Sequence, residues 1–202
     1  MTQTQKKTHR LAVAAMLTAV AAVLQFVEFA IPLMPSFIKL DISDLPALLG
    51  TFSLGPVYGV AIQLAKNLLH LPFGSSAGVG ELSNFILGAV FVFVAGIIYK
   101  HNKSRKSALV GSIAGAASMA LVSIVTNYFI VYPAYVVLYK LPLEAIVGMY
   151  EAILGGVSHV PTQNALLNCL LVFNVPFTLV KGLLDTALCF LIYKPLSPLL
   201  HR

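Results

Sequence analysis

Apolar runs long enough to cross a bilayer recur along most of this chain, and no hydrophilic block longer than a loop separates them. A spanning helix needs about 20 apolar residues at 1.5 Å rise. Six segments can be placed, at Leu11–Ile31, Leu45–Leu54, Val57–Leu71, Val79–Tyr99, Ala108–Val131 and Leu166–Tyr193. The second and third are short and are punctuated by Gly55 and Pro56, so they read as two half-length helices or a re-entrant pair. The composition agrees: 58% of residues are hydrophobic and 10% charged, against about 25% charged in a soluble domain. The expected fold is an all-α membrane protein, a six-helix transmembrane bundle forming a single domain over residues 1–202. Lys6, Lys7 and Arg10 precede an apolar run from Leu11 to Leu33 that is longer than a signal-peptide core, so it reads as a first span.

Basic residues set the expected orientation. Lys6, Lys7 and Arg10, then Lys100, Lys103, Arg105 and Lys106, then Lys194 and Arg202 all fall on one side of a six-span arrangement. Loops rich in lysine and arginine stay in the cytoplasm, which puts both termini there. Glu28, Asp41, Asp44, Glu81, Glu144 and Glu151 fall in or near the opposite loops and helix ends, while Asp185 lies deep in the last span. The net charge of +6 then reports topology and contact with the lipid membrane, and gives no reason to invoke nucleic acid.

Several chemistries are disfavoured. Cys169 and Cys189 lie twenty residues apart on one expected helix, about 30 Å by its rise, beyond disulfide reach. No paired-cysteine or paired-histidine metal spacing occurs, so no metal site and no cofactor are expected. His9, His70, His101, His159 and His201 are scattered and read as interfacial or loop residues. A phosphate-binding glycine loop ending in Lys-Ser or Lys-Thr is absent, which excludes ATP hydrolysis by this chain. The glycines between Gly74 and Glu81 read as a flexible loop able to close over a ligand.

The last apolar run contains an exception to its own composition. Asn174, Thr178, Lys181 and Asp185 follow one another at intervals of four, three and four, which stacks them on one helical face. A lysine or aspartate within hydrocarbon costs about 2.5 to 3.5 kcal/mol on insertion scales, so such residues face a partner or a wet site. The bland explanation for Lys181 is an ion pair with Asp185 one turn away, which is compatible with a ligand role. Lys66 and Glu81 are similarly expected to pair. Asn127 lies near the end of the fifth span beside Tyr128, Phe129, Tyr132 and Tyr135, and an amide among aromatics suits a flat heteroaromatic ligand with a hydrogen-bonding edge. On the first span, Ala12, Ala15, Ala19 and Ala22 form a small-residue line that suits packing within the bundle or docking of another membrane subunit.

The runs Lys39 to Gly50 (KLDISDLPALLG), Gly55 to Gly59 (GPVYG), Lys66 to His70 (KNLLH), Gly78 to Phe85 (GVGELSNF), Asn127 to Phe129 (NYF) and Pro176 to Gly182 (PFTLVKG) together resemble a family. It is the substrate-binding S components of energy-coupling factor (ECF) vitamin transporters, and within it the riboflavin-specific members. The resemblance implies a six-helix bundle that binds riboflavin near its outer face. It also implies delivery through a transmembrane T component and two ATPase subunits, with Ala15 and Ala19 as the docking face and Asn127 and Lys181 in the flavin pocket. The position before Leu-Val-Lys is usually asparagine in that family and is Thr178 here, so one amide contact is replaced by a single hydroxyl, for which Asn174 one turn earlier can substitute. Three other readings remain open: an S component for flavin mononucleotide or another vitamin, an ion-coupled transporter using Lys66, Glu81, Lys181 and Asp185, and, least supported, a membrane enzyme.

Overall fold

Helix α1 (Gln3–Phe26) is followed, after a longer connection, by α2 (Asp44–Leu54), α3 (Pro56–His70), α4 (Val79–His101) and α5 (Arg105–Thr126), which succeed one another through short turns. The computed structural model describes residues 2–32, 34–35, 38–74, 76–140, 142–153 and 164–200, with backbone alone for Tyr139 and residues 194–200. Beyond α5 the helix widens into a π segment (Asn127–Val131) before continuing as α6 (Tyr132–Tyr139). Then come α7 (Leu143–Ile153), α8 (Ala165–Cys169), a second π segment (Leu170–Asn174) and α9 (Val175–Leu200). A two-stranded hairpin, β1 (Phe29–Ala30) with β2 (Lys39–Leu40), follows α1, pairing Phe29 with Leu40.

The ends of these helices have local causes. Helix α1 starts eight residues before the apolar run because Thr2 and Gln5 form a capping box, each side chain accepting the other's backbone N–H. Ser104 caps α5 by accepting from the Ser107 amide at 3.1 Å. At the hinge between α2 and α3, Gly55 adopts φ +114°, a conformation glycine alone takes without strain, and Pro56 opens the next helix. With 11 and 15 residues, α2 and α3 reach about 16 and 22 Å by helical rise, so they are separate short helices.

Four helical stretches are long and apolar enough to cross a membrane: Gln3–Phe26, Val79–His101, Arg105–Leu138 and Ala165–Tyr193. The polarity of the bundle as a whole departs from that of a soluble protein. Leu11, Val23, Leu121, Phe129 and Val172 face outward, while Gln63, Lys66, Asp44, Ser112, Ser123 and Asp185 are buried. Lipid tails solvate the first set and cannot solvate the second, so the polar groups turn inward. The chain is an all-α membrane protein. Helix α7 lies outside the six expected segments, although its Ile146 and Tyr150 are buried at helical spacing.

Close approach of backbones holds the bundle together where hydrophobic drive is absent. A Cβ on Gly115 would lie 2.5 Å from the Phe91 carbonyl oxygen, and one on Gly111 would lie 2.8 Å from that of Ala95, so α5 rides directly on α4. Gly182 of α9 meets Ala116 of α5 the same way, at 2.7 Å between Cβ positions. The start of α1, the Gly55 turn, the α4 to α5 turn and the later turns of α9 converge on one end, where Arg10, Lys100, Lys103 and Arg105 line two adjoining clefts. The opposite end holds a cavity.

Candidate functional site

The cavity is bounded by the end of α1, the β2 to α2 segment, the end of α3, the start of α4, the first π segment with α6, and the first half of α9. Its empty volume, counted to the open mouth, is about 1010 Å³. Asn127, Asn174, Thr178 and Lys181 all line it, so the structure brings the four expected ligand-binding residues to one place. Ile38, Leu87, Met119, Val131 and Phe177 supply apolar wall, with Tyr132 and Tyr135 between. Tyr132 and Tyr135 thus belong to the cavity, while Phe129 points outward.

The two π segments bear directly on this placement. One begins at Asn127 and the other ends at Asn174, each inserting an extra residue into a helical turn and re-aiming the side chains that follow. Asn174 is fixed by a network: its Oδ1 accepts from the Tyr150 hydroxyl at 2.7 Å and its Nδ2 donates to the Tyr132 oxygen at 3.1 Å. The two tyrosine oxygens lie 2.5 Å apart. Asn127 and Thr178 differ, since neither side chain has a hydrogen-bonding side-chain or backbone partner among the described residues. An amide and a hydroxyl lining a cavity with free bonding capacity are poised for a ligand.

Lys181 does not pair with Asp185. Its Nζ lies 2.9 Å from Asp41 and 3.4 Å from Asp44, and donates to the Asn84 Oδ1 at 3.4 Å. Two carboxylates converging from the β2 to α2 segment outcompete one carboxylate a turn away on its own helix. Asp185 is left fully buried, with neither oxygen hydrogen-bonded among the described residues. Lys66 likewise pairs with Asp44, at 2.5 Å, and with the Ser43 hydroxyl at 2.6 Å, instead of Glu81. Gln63 donates to the same Asp44 oxygen at 2.9 Å. Burial opposes ionisation of Asp41, but Lys181, Lys66 and the Ser43 hydroxyl outweigh it and hold the carboxyl below its usual range.

Glu81 is instead taken by His70, whose Nδ1 lies 2.9 Å away, and by the Ser76 hydroxyl at 2.8 Å. His70 is therefore a buried residue of the cavity mouth, not an interfacial one, and its ring sits 4.9 Å from that of Phe26. His159 and His201 lie outside the described residues. Ser76 and Gly80 line the cavity, so the glycine-bearing loop borders it. Lys39 at the rim pairs with Glu28. Cys169 and Cys189 are both free and buried. Ala15 and Ala19 are exposed on the outer face of α1, away from this site.

Asp41, Asp44 and Gln63 were not among the expected site residues. The sequence signal available was the pair of acids flanking Ser43 just before an apolar helix, but nothing in spacing joins Asp41 to a lysine 140 positions later.

Fold and site together define a membrane-embedded binding protein, with a polar-lined cavity closed by buried ion pairs at one end of a helical bundle. Residues 9–193 match the family described as "ECF transporter, substrate-specific component", and the chain belongs to that family. It is 34% identical over 197 residues to the riboflavin transporter RibU of Staphylococcus aureus (strain TCH60), covering 98% of this chain and 95% of that protein. It is also 30% identical over 199 residues to the riboflavin transporter FmnP of Bacillus subtilis (strain 168), covering 97% and 96%. A solved S component of a bacterial ECF transporter has the same fold, with a TM-score of 0.73 at 35% identity, covering 97% of this chain and 99% of that one.

Proposed function

We propose that this chain is the riboflavin-binding S component of an ATP-driven vitamin uptake system in a prokaryotic plasma membrane. It captures riboflavin in the cavity and passes it inward through a complex with a T component and two ATPase subunits. The short helices α2 and α3 complete a six-span bundle with both termini in the cytoplasm, which puts Arg10, Lys100, Lys103 and Arg105 on the cytoplasmic side and the cavity on the outer side. Riboflavin is the transported substrate and not a cofactor.

One observation carries the ligand assignment: the unengaged Asn127 amide and Thr178 hydroxyl share a cavity with Lys181 and with an aromatic and aliphatic wall. A flavin ring is apolar at its dimethylbenzene end and carries alternating donors and acceptors at the other, and the cavity offers both surfaces. Asn127 can donate and accept along the polar edge, Thr178 does the same with one hydroxyl, and Lys181 supplies a donor held in place by Asp41 and Asp44. Asn174, already bonded twice, retains one amide hydrogen for the ligand.

The same cavity disfavours a phosphorylated flavin. Its two lysines, Lys39 and Lys181, are each paired with carboxylates, and Glu28, Asp41 and Glu81 line it as well. A phosphate dianion there meets like charge before it meets a free cation. Titration of the purified protein with riboflavin and with flavin mononucleotide, followed by flavin fluorescence, tests both statements. Saturable quenching by riboflavin at nanomolar to low micromolar concentration is expected, with flavin mononucleotide weaker by about tenfold or more. Unchanged flavin fluorescence with a folded protein refutes the assignment.

A further inference from the structure

We infer that the basic end of the bundle holds one anionic phospholipid, its phosphate between Lys103 and Arg105 and an acyl chain along Phe52, Ala108 and Leu191. A cleft of about 1350 Å³, counted to its open side, runs there between the end of α4, the start of α5 and α9. Its lining is divided by chemistry. Lys103, Ser104, Arg105 and Tyr193 stand together as the polar part, and Phe52, Ala108, Phe190 and Leu191 form the apolar part. Leu191 is 72% exposed, so the apolar wall is open to the hydrocarbon that surrounds α9. A second cleft shares Phe52, Tyr99 and Lys103 with the first and adds Arg10 and Lys100. The Phe52 and Tyr99 rings, edge to face at 4.9 Å, stand between the two.

The charges at this end are unspent. Lys39, Lys66 and Lys181 each pair with a carboxylate, whereas Arg10, Lys100, Lys103 and Arg105 pair with none among the described residues. Among the described residues, neither cleft is lined by an aspartate or glutamate. An arginine fork beside a lysine is the donor set for a phosphodiester, and tyrosines suit the headgroup level of a bilayer. A free inorganic anion would satisfy the cations and leave the apolar wall uncovered, and so would an acidic protein segment resting on the rim. A phospholipid covers both parts at once. This site lies at the opposite end of the bundle from the ligand cavity and does not depend on which vitamin that cavity takes.

Native mass spectrometry of the full-length protein, titrated with phosphatidylglycerol or phosphatidylcholine of matched chains, tests the site. The protein is expected to retain one phosphatidylglycerol about tenfold more strongly than phosphatidylcholine. Lys103→Gln combined with Arg105→Gln should abolish that preference. Lys6→Gln combined with Lys7→Gln, which removes the same charge from the exposed start of α1, should leave it intact. Leu191→Ser should weaken phosphatidylglycerol retention without affecting any binding of inorganic phosphate. Equal retention of the two lipids, or equal loss in the two charge variants, overturns the proposal. So does competition by millimolar inorganic phosphate that Leu191→Ser leaves unchanged, which makes the site a simple anion site. Loss of ATPase-module binding in the Lys103 and Arg105 variant, with no lipid preference in the wild type, also overturns it and makes the cleft a protein contact.

Discussion

Two buried lysines share Asp44 and have different duties. Lys66 is 0% exposed, bonded to Asp44 and Ser43 and not part of the cavity lining, so a ligand does not reach its ammonium. Removing one partner of a buried pair leaves an uncompensated charge, which costs about 3–5 kcal/mol. Lys66→Met is therefore expected to lower stability by that amount, seen as a reduced midpoint in detergent-driven unfolding. Lys181 lines the cavity, and when it is lost Asp44 keeps Lys66 while Asp41 keeps the Ser43 amide and hydroxyl and lies at the cavity wall, where water can solvate it. Lys181→Ala should leave the bundle folded and weaken riboflavin binding by about 10- to 150-fold, the equivalent of one charged hydrogen bond of about 1.5–3 kcal/mol. Normal affinity in that variant would remove Lys181 from the pocket. The stripe from Asn174 to Asp185 was legible because helical spacing is local. Partner choice was not: the i+4 rule pointed Lys181 to Asp185, and tertiary structure supplied Asp41 and Asp44 from far away in sequence.

At several crossings the helices meet backbone to backbone through glycine. At Gly115 the neighbour is the backbone oxygen of Phe91, which cannot rotate aside as a side chain end can. Gly115→Val is expected to force α5 away from α4 and cost about 1–3 kcal/mol, read from the unfolding midpoint with riboflavin absent. An unchanged midpoint would mean that the helices are not in contact there. The apolar runs make α1, α4, α5 and α9 readable from the sequence, and the Gly55-Pro56 pair marks the α2 to α3 hinge just as plainly. Two features escape such a reading. Helix α7 is short and amphipathic, so a search for spanning runs passes over Ile146 and Tyr150. The π segments leave no compositional trace, because a widened turn in NYFIV or LLVFN changes hydrogen-bond register without changing hydropathy.

On the proposed function, ligand binding and subunit docking fall on separate parts of the molecule. The cavity occupies one end and draws on α1, α3, α4, α6 and α9, while Ala15 and Ala19 are exposed on α1 and do not line it. Their small side chains leave the α1 backbone open to close approach by a helix of another subunit, and lipid tails alone place no demand for alanine at those positions. Bulk at that face blocks a partner without altering the cavity. Ala15→Leu combined with Ala19→Leu is therefore expected to leave riboflavin affinity within about twofold, since substitutions away from packed or charged features stay within about 0.5 kcal/mol. The same variant should lose copurification with the T component and ATPase subunits and most riboflavin uptake by whole cells. Retained uptake would place the docking surface elsewhere on the bundle. Lost affinity in the purified protein would show instead that α1 reaches the cavity through its packing on α2 and α3, making binding and docking one property of that helix.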